Sequence, residues 1–91
     1  MNKKELIAEV AEKTGTTKVA TKEILEGILE SVMQAVADGD KVSIPGFGVF
    51  ESKYRPAHSG RNPRTKELVE IPAHTTPVFK AGKEFKDKVN K

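Results

Sequence analysis

The sequence predicts an α+β fold: a helical base, a small antiparallel sheet and a long protruding β-ribbon arm. Three observations predict it. Apolar residues recur at helical spacing through the first forty positions. After Lys41 the pattern changes to short alternating runs broken by glycine and proline. Between two of those runs lies Lys53 to Lys66, with five cationic side chains, no acidic one and almost nothing apolar to bury.

The first helix starts at a capping box, Asn2-Lys3-Lys4-Glu5, in which Asn2 caps and Glu5 reaches back. Leu6, Ile7, Val10 and Ala11 share one face, and Gly15-Thr16 ends the helix. Thr17 is the next N-cap. The second helix runs from about residue 18 to about residue 37. Ile24, Leu25, Ile28, Leu29, Val32 and Val36 form an apolar arc roughly 140° wide, with Met33 at its edge. Lys22, Glu23, Glu26, Glu30 and Gln34 take the wet side. Gly27 costs about 1 kcal/mol relative to Ala there, whether it permits a close helix approach or is simply tolerated. Asp38-Gly39-Asp40 closes the helix, with Gly39 in the left-handed cap position.

Lys41-Val42-Ser43-Ile44 alternates as a strand. Pro45-Gly46-Phe47-Gly48 breaks it, Gly46 and Gly48 reading as turn residues. Val49-Phe50 opens the next strand, and Phe47 and Phe50 read as core. Beyond the basic stretch, Leu68-Val69-Glu70-Ile71 returns as a strand. Pro72, Thr75-Thr76 and Pro77 bend it and mark it as an edge strand. Val78-Phe79 re-enters the core. Ala81-Gly82 turns the chain into a last helix from Lys83, anchored by Phe85 and Val89. No internal repeat or low-complexity segment stands out.

The basic stretch has two readings. One is a solvated, disordered loop. The other is a two-stranded arm that tracks a polyanion, and the strand-like flanks favour it, since a ribbon fits a DNA groove. Ser59-Gly60-Arg61-Asn62-Pro63 reads as its turn, with Pro63 at or near the tip.

The 91 residues form one small domain: helical base about 1–40, sheet 41–52 and 72–81, arm about 53–71, last helix about 83–90. Residues 1–40 carry net charge −3 and residues 41–91 carry +6, which suggests a scaffold joined to an anion-binding part. Cysteine is absent, so disulfides, thiolate metal sites and thiol nucleophiles are excluded. No apolar run approaches a membrane span or a signal-peptide core, so a cytoplasmic, soluble protein without a membrane partner is expected. His58 and His74 lie outside any metal-ligand spacing, and Gly46-Phe47-Gly48 lacks the rest of a dinucleotide fingerprint. No catalytic, metal, cofactor or small-molecule substrate site is expected, and the protein reads as a non-enzyme. His58 instead adds a pH-dependent charge to the arm.

Rival binding modes fit less well. The second helix presents Glu23, Glu26 and Glu30, which phosphates repel, so it is not a recognition helix. Tyr54 is the arm's one aromatic residue, which disfavours a single-stranded RNA reader. The basic run forms no amphipathic helix, which disfavours a membrane-surface protein.

Gly46-Phe47-Gly48-Val49-Phe50, Gly60-Arg61-Asn62-Pro63 and Pro77-Val78-Phe79-Lys80-Ala81-Gly82-Lys83 together resemble the bacterial histone-like HU and integration-host-factor family. The opening Met1-Asn2-Lys3-Lys4-Glu5-Leu6 is similar too, and the resemblance covers essentially the whole chain. It implies an intertwined homodimer, or a heterodimer with a paralogue, whose arms wrap the minor groove of double-stranded DNA. The implied intercalating residue is Pro63. The implied DNA-binding positions are Lys53, Arg55, His58, Arg61, Asn62, Arg64 and Lys66 on the arm, with Lys3, Lys80, Lys83 and Lys86 beyond it. The expected dimer core is Ile28, Leu29, Val32, Val36, Ile44, Phe47, Phe50 and Phe79. The expected function is bending and compaction of nucleoid DNA with little sequence preference, and the alternative is a sequence-selective integration-host-factor-like subunit. Three positions depart from the family pattern: His58 where arginine is common, Lys66 where glycine or asparagine is common, and Pro45 before the Gly-Phe-Gly turn.

Overall fold

A computed structural model describes residues 1–90. The elements run α1 (Lys3–Thr14), α2 (Lys18–Ala37), β1 (Val42–Ile44), β2 (Gly48–Arg55), β3 (His58–Arg61), β4 (Leu68–Ile71), β5 (His74–Ala81) and α3 (Lys83–Val89). They divide into two compact units, Met1–Gln34 and a second that begins at Ala35.

In the first unit the capping residues are the predicted ones, but the Glu5 side chain does not reach back to Asn2. The Asn2 side chain accepts a hydrogen bond from the Glu5 amide at 2.8 Å, and Gly15 closes α1 in the left-handed conformation. Thr17 Oγ1 accepts from the Ala20 amide at 3.1 Å and starts α2. Ile7 and Ala11 are buried, whereas Ile24, Ile28, Leu29 and Met33 lie open along α2. Lys3 reaches Glu26 at 3.0 Å, and its ammonium holds the Glu26 carboxyl below the usual carboxylate value.

The second unit holds two antiparallel sheets. The larger has strand order β1-β2-β5, so β5 is an edge, as Pro77 within it requires. Opposed pairs divide its faces. Val42, Phe50 and Phe79 meet on one face, and the Phe50 and Phe79 rings lie 4.7 Å apart. Phe47 joins them at 5.3 Å from Phe79, and Phe85 of α3 stands 5.3 Å from Phe47. Val89 does not share that anchoring role and is mostly exposed.

Of the two glycines read as turn residues, one has a different role. Gly46 is a turn residue, at φ +83. Gly48 belongs to β2, where any Cβ would collide with the Lys80 carbonyl and the Phe79 ring, so it serves close strand packing. The bend in the returning strand also moves. It lies at Pro72-Ala73, and Thr75, Thr76 and Pro77 run inside an unbroken β5.

Candidate nucleic-acid interface

The arm is a ribbon with a joint. β2 pairs with β5 out to Arg55↔His74, and β3 pairs with β4 from His58↔Ile71 onward. Between them each strand contributes two unpaired residues, Pro56-Ala57 on one side and Pro72-Ala73 on the other. Proline cannot donate to the ladder, so one proline on each strand, Pro56 across from Ala73 and Pro72 across from Ala57, interrupts the sheet without shifting its register. The tripeptide Pro-Ala-His occurs on both strands, a short repeat that only the pairing makes conspicuous. In each copy the histidine Nδ1 approaches the proline carbonyl two residues back, His58 at 3.4 Å and His74 at 3.2 Å. A shallow cavity of about 310 Å³ beside the joint is lined by Ala57, His58, Ser59, Glu70, Ile71 and Pro72.

The tip is shorter than the sequence suggests. Ser59, Gly60 and Arg61 are strand residues of β3, and the turn begins at Asn62. Gly60 is extended there, opposite Val69, and a Cβ would press within 3.2 Å of Ile71. Its turn propensity is real, but side-chain packing across the ribbon decides the glycine's place. Asn62 builds the turn. Its side-chain oxygen accepts from the Arg64 amide at 2.9 Å, its carbonyl from Lys66 N–H at 2.7 Å, and its own N–H donates to Glu67 at 2.9 Å. Pro63 needs no donor in this scheme and lies exposed beside Arg64. Lys66 closes the turn at φ +60, the one non-glycine residue with positive φ among the described residues. That explains physically why glycine or asparagine suits this position.

Charge is sorted by strand register. Opposed residues share a face, so Lys53, Arg55, His74 and Lys80 lie on the face of the β2-β5 ribbon away from the Phe50–Phe79 pair. Arg61 lies opposite Leu68 farther along. Glu51 shares the face of Lys53 and Arg55. Its carboxylate accepts from Lys80 at 2.8 Å and pairs with Lys41 at 3.4 Å, and Lys80 above all holds its carboxyl below the usual value. Of the expected binding positions, the arm therefore gathers Lys53, Arg55, His58, Arg61, Asn62, Pro63, Arg64 and Lys66 on one ribbon. Lys83 and Lys86 are exposed on α3, while Lys3 and Lys80 each already neutralise a carboxylate. His74 is the residue that the sequence does not mark as a candidate. Its one signal there is the second Pro-Ala-His.

The family model described as "Bacterial DNA-binding protein" matches residues 1–90. The chain belongs to that family. It is a family of DNA-binding proteins rather than enzymes. DNA-binding protein HU of Clostridium pasteurianum is 58% identical over 91 residues, the full length of both chains. DNA-binding protein HU of Nostoc sp. is 52% identical over 89 residues, which is 98% of this chain and 95% of its own. Among solved structures, an Anabaena HU–DNA cocrystal structure superposes with a TM-score of 0.91 at 52% identity, covering 98% of this chain and 97% of the other. HU from Thermotoga maritima superposes at 0.70 with 42% identity, covering 98% of each chain. The α+β fold and HU-type membership expected from the motifs therefore hold over the whole chain.

Proposed function

We propose that this protein is an architectural DNA-binding protein that bends and compacts double-stranded DNA through the minor groove with little sequence preference. The observation that carries the reading is the two-stranded ribbon itself, with Arg61, Pro63 and Arg64 at an exposed tip and Lys53 and Arg55 along its length. The similarity to HU bound to DNA supports it. Phosphates supply most of the attraction, because each cation that neutralises one releases a counterion. Sequence readout is weak, because the minor groove presents a degenerate pattern. Wedging of an apolar residue between base steps is an established property of HU and integration host factor, and Pro63 is the residue that takes that role here.

The protein acts as a dimer, a homodimer or a heterodimer with a paralogue. The chain alone fully buries no large side chain among the described residues, while Ile28 is 52% and Phe47 43% exposed. Such apolar area requires a cover, and a second copy with the same surface supplies one. Val32, Val36, Ile44 and Phe50 are the further residues expected at the dimer contact. The setting is the cytoplasmic nucleoid; no described helix is long and apolar enough to cross a membrane.

Competition binding tests this function. Random-sequence duplex should displace any chosen duplex with an affinity within a few-fold of self-competition. A site preferred by ~1000-fold or more would instead indicate a sequence-selective protein.

A further inference from the structure

We infer that His74, together with His58, makes DNA binding by the arm proton-coupled, with each imidazolium donating to a phosphate; this rests on the arm being the DNA contact. His58 and His74 each follow one side of the joint. A carbonyl oxygen only accepts, so the contacts to Pro56 and Pro72 favour the tautomer with the proton on Nδ1. Nε2 is then a lone-pair acceptor in the neutral ring, which phosphate oxygens repel. Protonation changes that same atom into a charged donor without disturbing the Nδ1 contact.

The surroundings of His74 favour this behaviour. Arg55 lies directly opposite on β2, and Lys53, opposite Thr76, is its diagonal neighbour on the same face. Among the described residues, no carboxylate is paired with it. Glu51 lies two pairs farther down that face and is held by Lys80 and Lys41, while Glu70 lies beyond the joint, opposite Ser59. A phosphate drawn to Arg55 and Lys53 therefore stands beside His74, and an imidazolium that donates to it holds it more tightly than a neutral ring does, so DNA and proton bind cooperatively. His58 lies opposite Ile71, and the charged group near it is Glu70, which lines the same cavity. The sign follows from linkage: the DNA complex holds more protons than the free protein, so affinity rises as pH falls through the range where imidazoles titrate.

Duplex affinity at fixed salt, measured from about pH 8 to about pH 5.5, tests the inference. The wild type should bind about tenfold more tightly at the acid end. The double variant His58→Gln/His74→Gln should lose most of that pH dependence, and His74→Lys should bind more tightly at the alkaline end. NMR titration of the His74 imidazole in the wild type gives a readout that a purely structural role would not move. Its midpoint should rise when duplex is added. A pH profile unchanged in the double variant, or a midpoint unmoved by DNA, overturns the inference. Arg61→Ala and Arg64→Ala at pH 8 separate the two failures. If they bind like wild type, the arm reading itself is wrong. If they weaken binding while the histidine results are null, only the proton coupling is wrong.

Discussion

The Glu51 carboxylate accepts a hydrogen bond from the Lys80 ammonium at 2.8 Å, on the ribbon face that also carries Lys53 and Arg55. One acid thus occupies a cation on a surface otherwise suited to phosphate. Lys41 shares the same carboxylate at 3.4 Å.

Glu51→Gln should release both lysines and tighten DNA binding, with a steeper salt dependence. It should also change the pH dependence of stability. The folded-state carboxyl is held below its usual value, so its contribution is present above the ordinary carboxylate range and lost as pH falls through the lowered folded value. Melting temperatures measured from neutral to acid pH should therefore converge for wild type and variant at the acid end. A constant gap across that range contradicts the assignment.

Lys66 holds a left-handed conformation that costs roughly 1 kcal/mol for a residue with a Cβ. Lys66→Gly should relieve it and firm the tip. Exchange of the Asn62 amide, which donates across the turn to Glu67, should slow in the variant. Equal or faster exchange would show that the turn stores no such strain.

The open apolar side chains predict a dimer whose stability depends on protein concentration. Sedimentation should give twice the 10.0 kDa chain mass. Ile28→Glu should destabilise the assembly by about 3 kcal/mol or more, because the charge would be buried without a partner. Monomer mass together with a concentration-independent melting temperature would remove the dimer.

Arg61→Ala and Arg64→Ala should each flatten the log–log salt dependence of binding by about 0.9 for every phosphate left unneutralised. Unchanged affinity at low salt in both variants would mean that the tip touches no phosphate.

Local rules made much of this fold legible. Asn2, Thr17, Gly15 and Gly39 stand at helix ends as cap chemistry requires, and Pro77 in β5 correctly marks an edge. What escapes the sequence depends on residues far apart in it. The joint exists because the pairing brings Pro56 across from Ala73 and Pro72 across from Ala57, and neither proline alone predicts it. Gly60 resembles a turn residue because its role, leaving space for Ile71, belongs to the partner strand. Lys3 and Lys80 look free in the sequence because Glu26 and Glu51 are distant along the chain. The basic character of the arm is fully readable, since charge composition needs no tertiary contact.

The central claim is that Pro63 works as a wedge in DNA and does not only shape the turn that Asn62 already holds. Fluorescence energy transfer across an intact and a nicked duplex, with wild type and Pro63→Ala, tests it most directly. Unstacking a base step costs a few kcal/mol, a cost that a nick largely removes. The account predicts a sharply reduced bend in the intact duplex with Pro63→Ala, a smaller preference for the nicked one, and largely preserved salt-dependent binding, because Arg61 and Arg64 remain. An unchanged bend and an unchanged nicked-to-intact preference would contradict it.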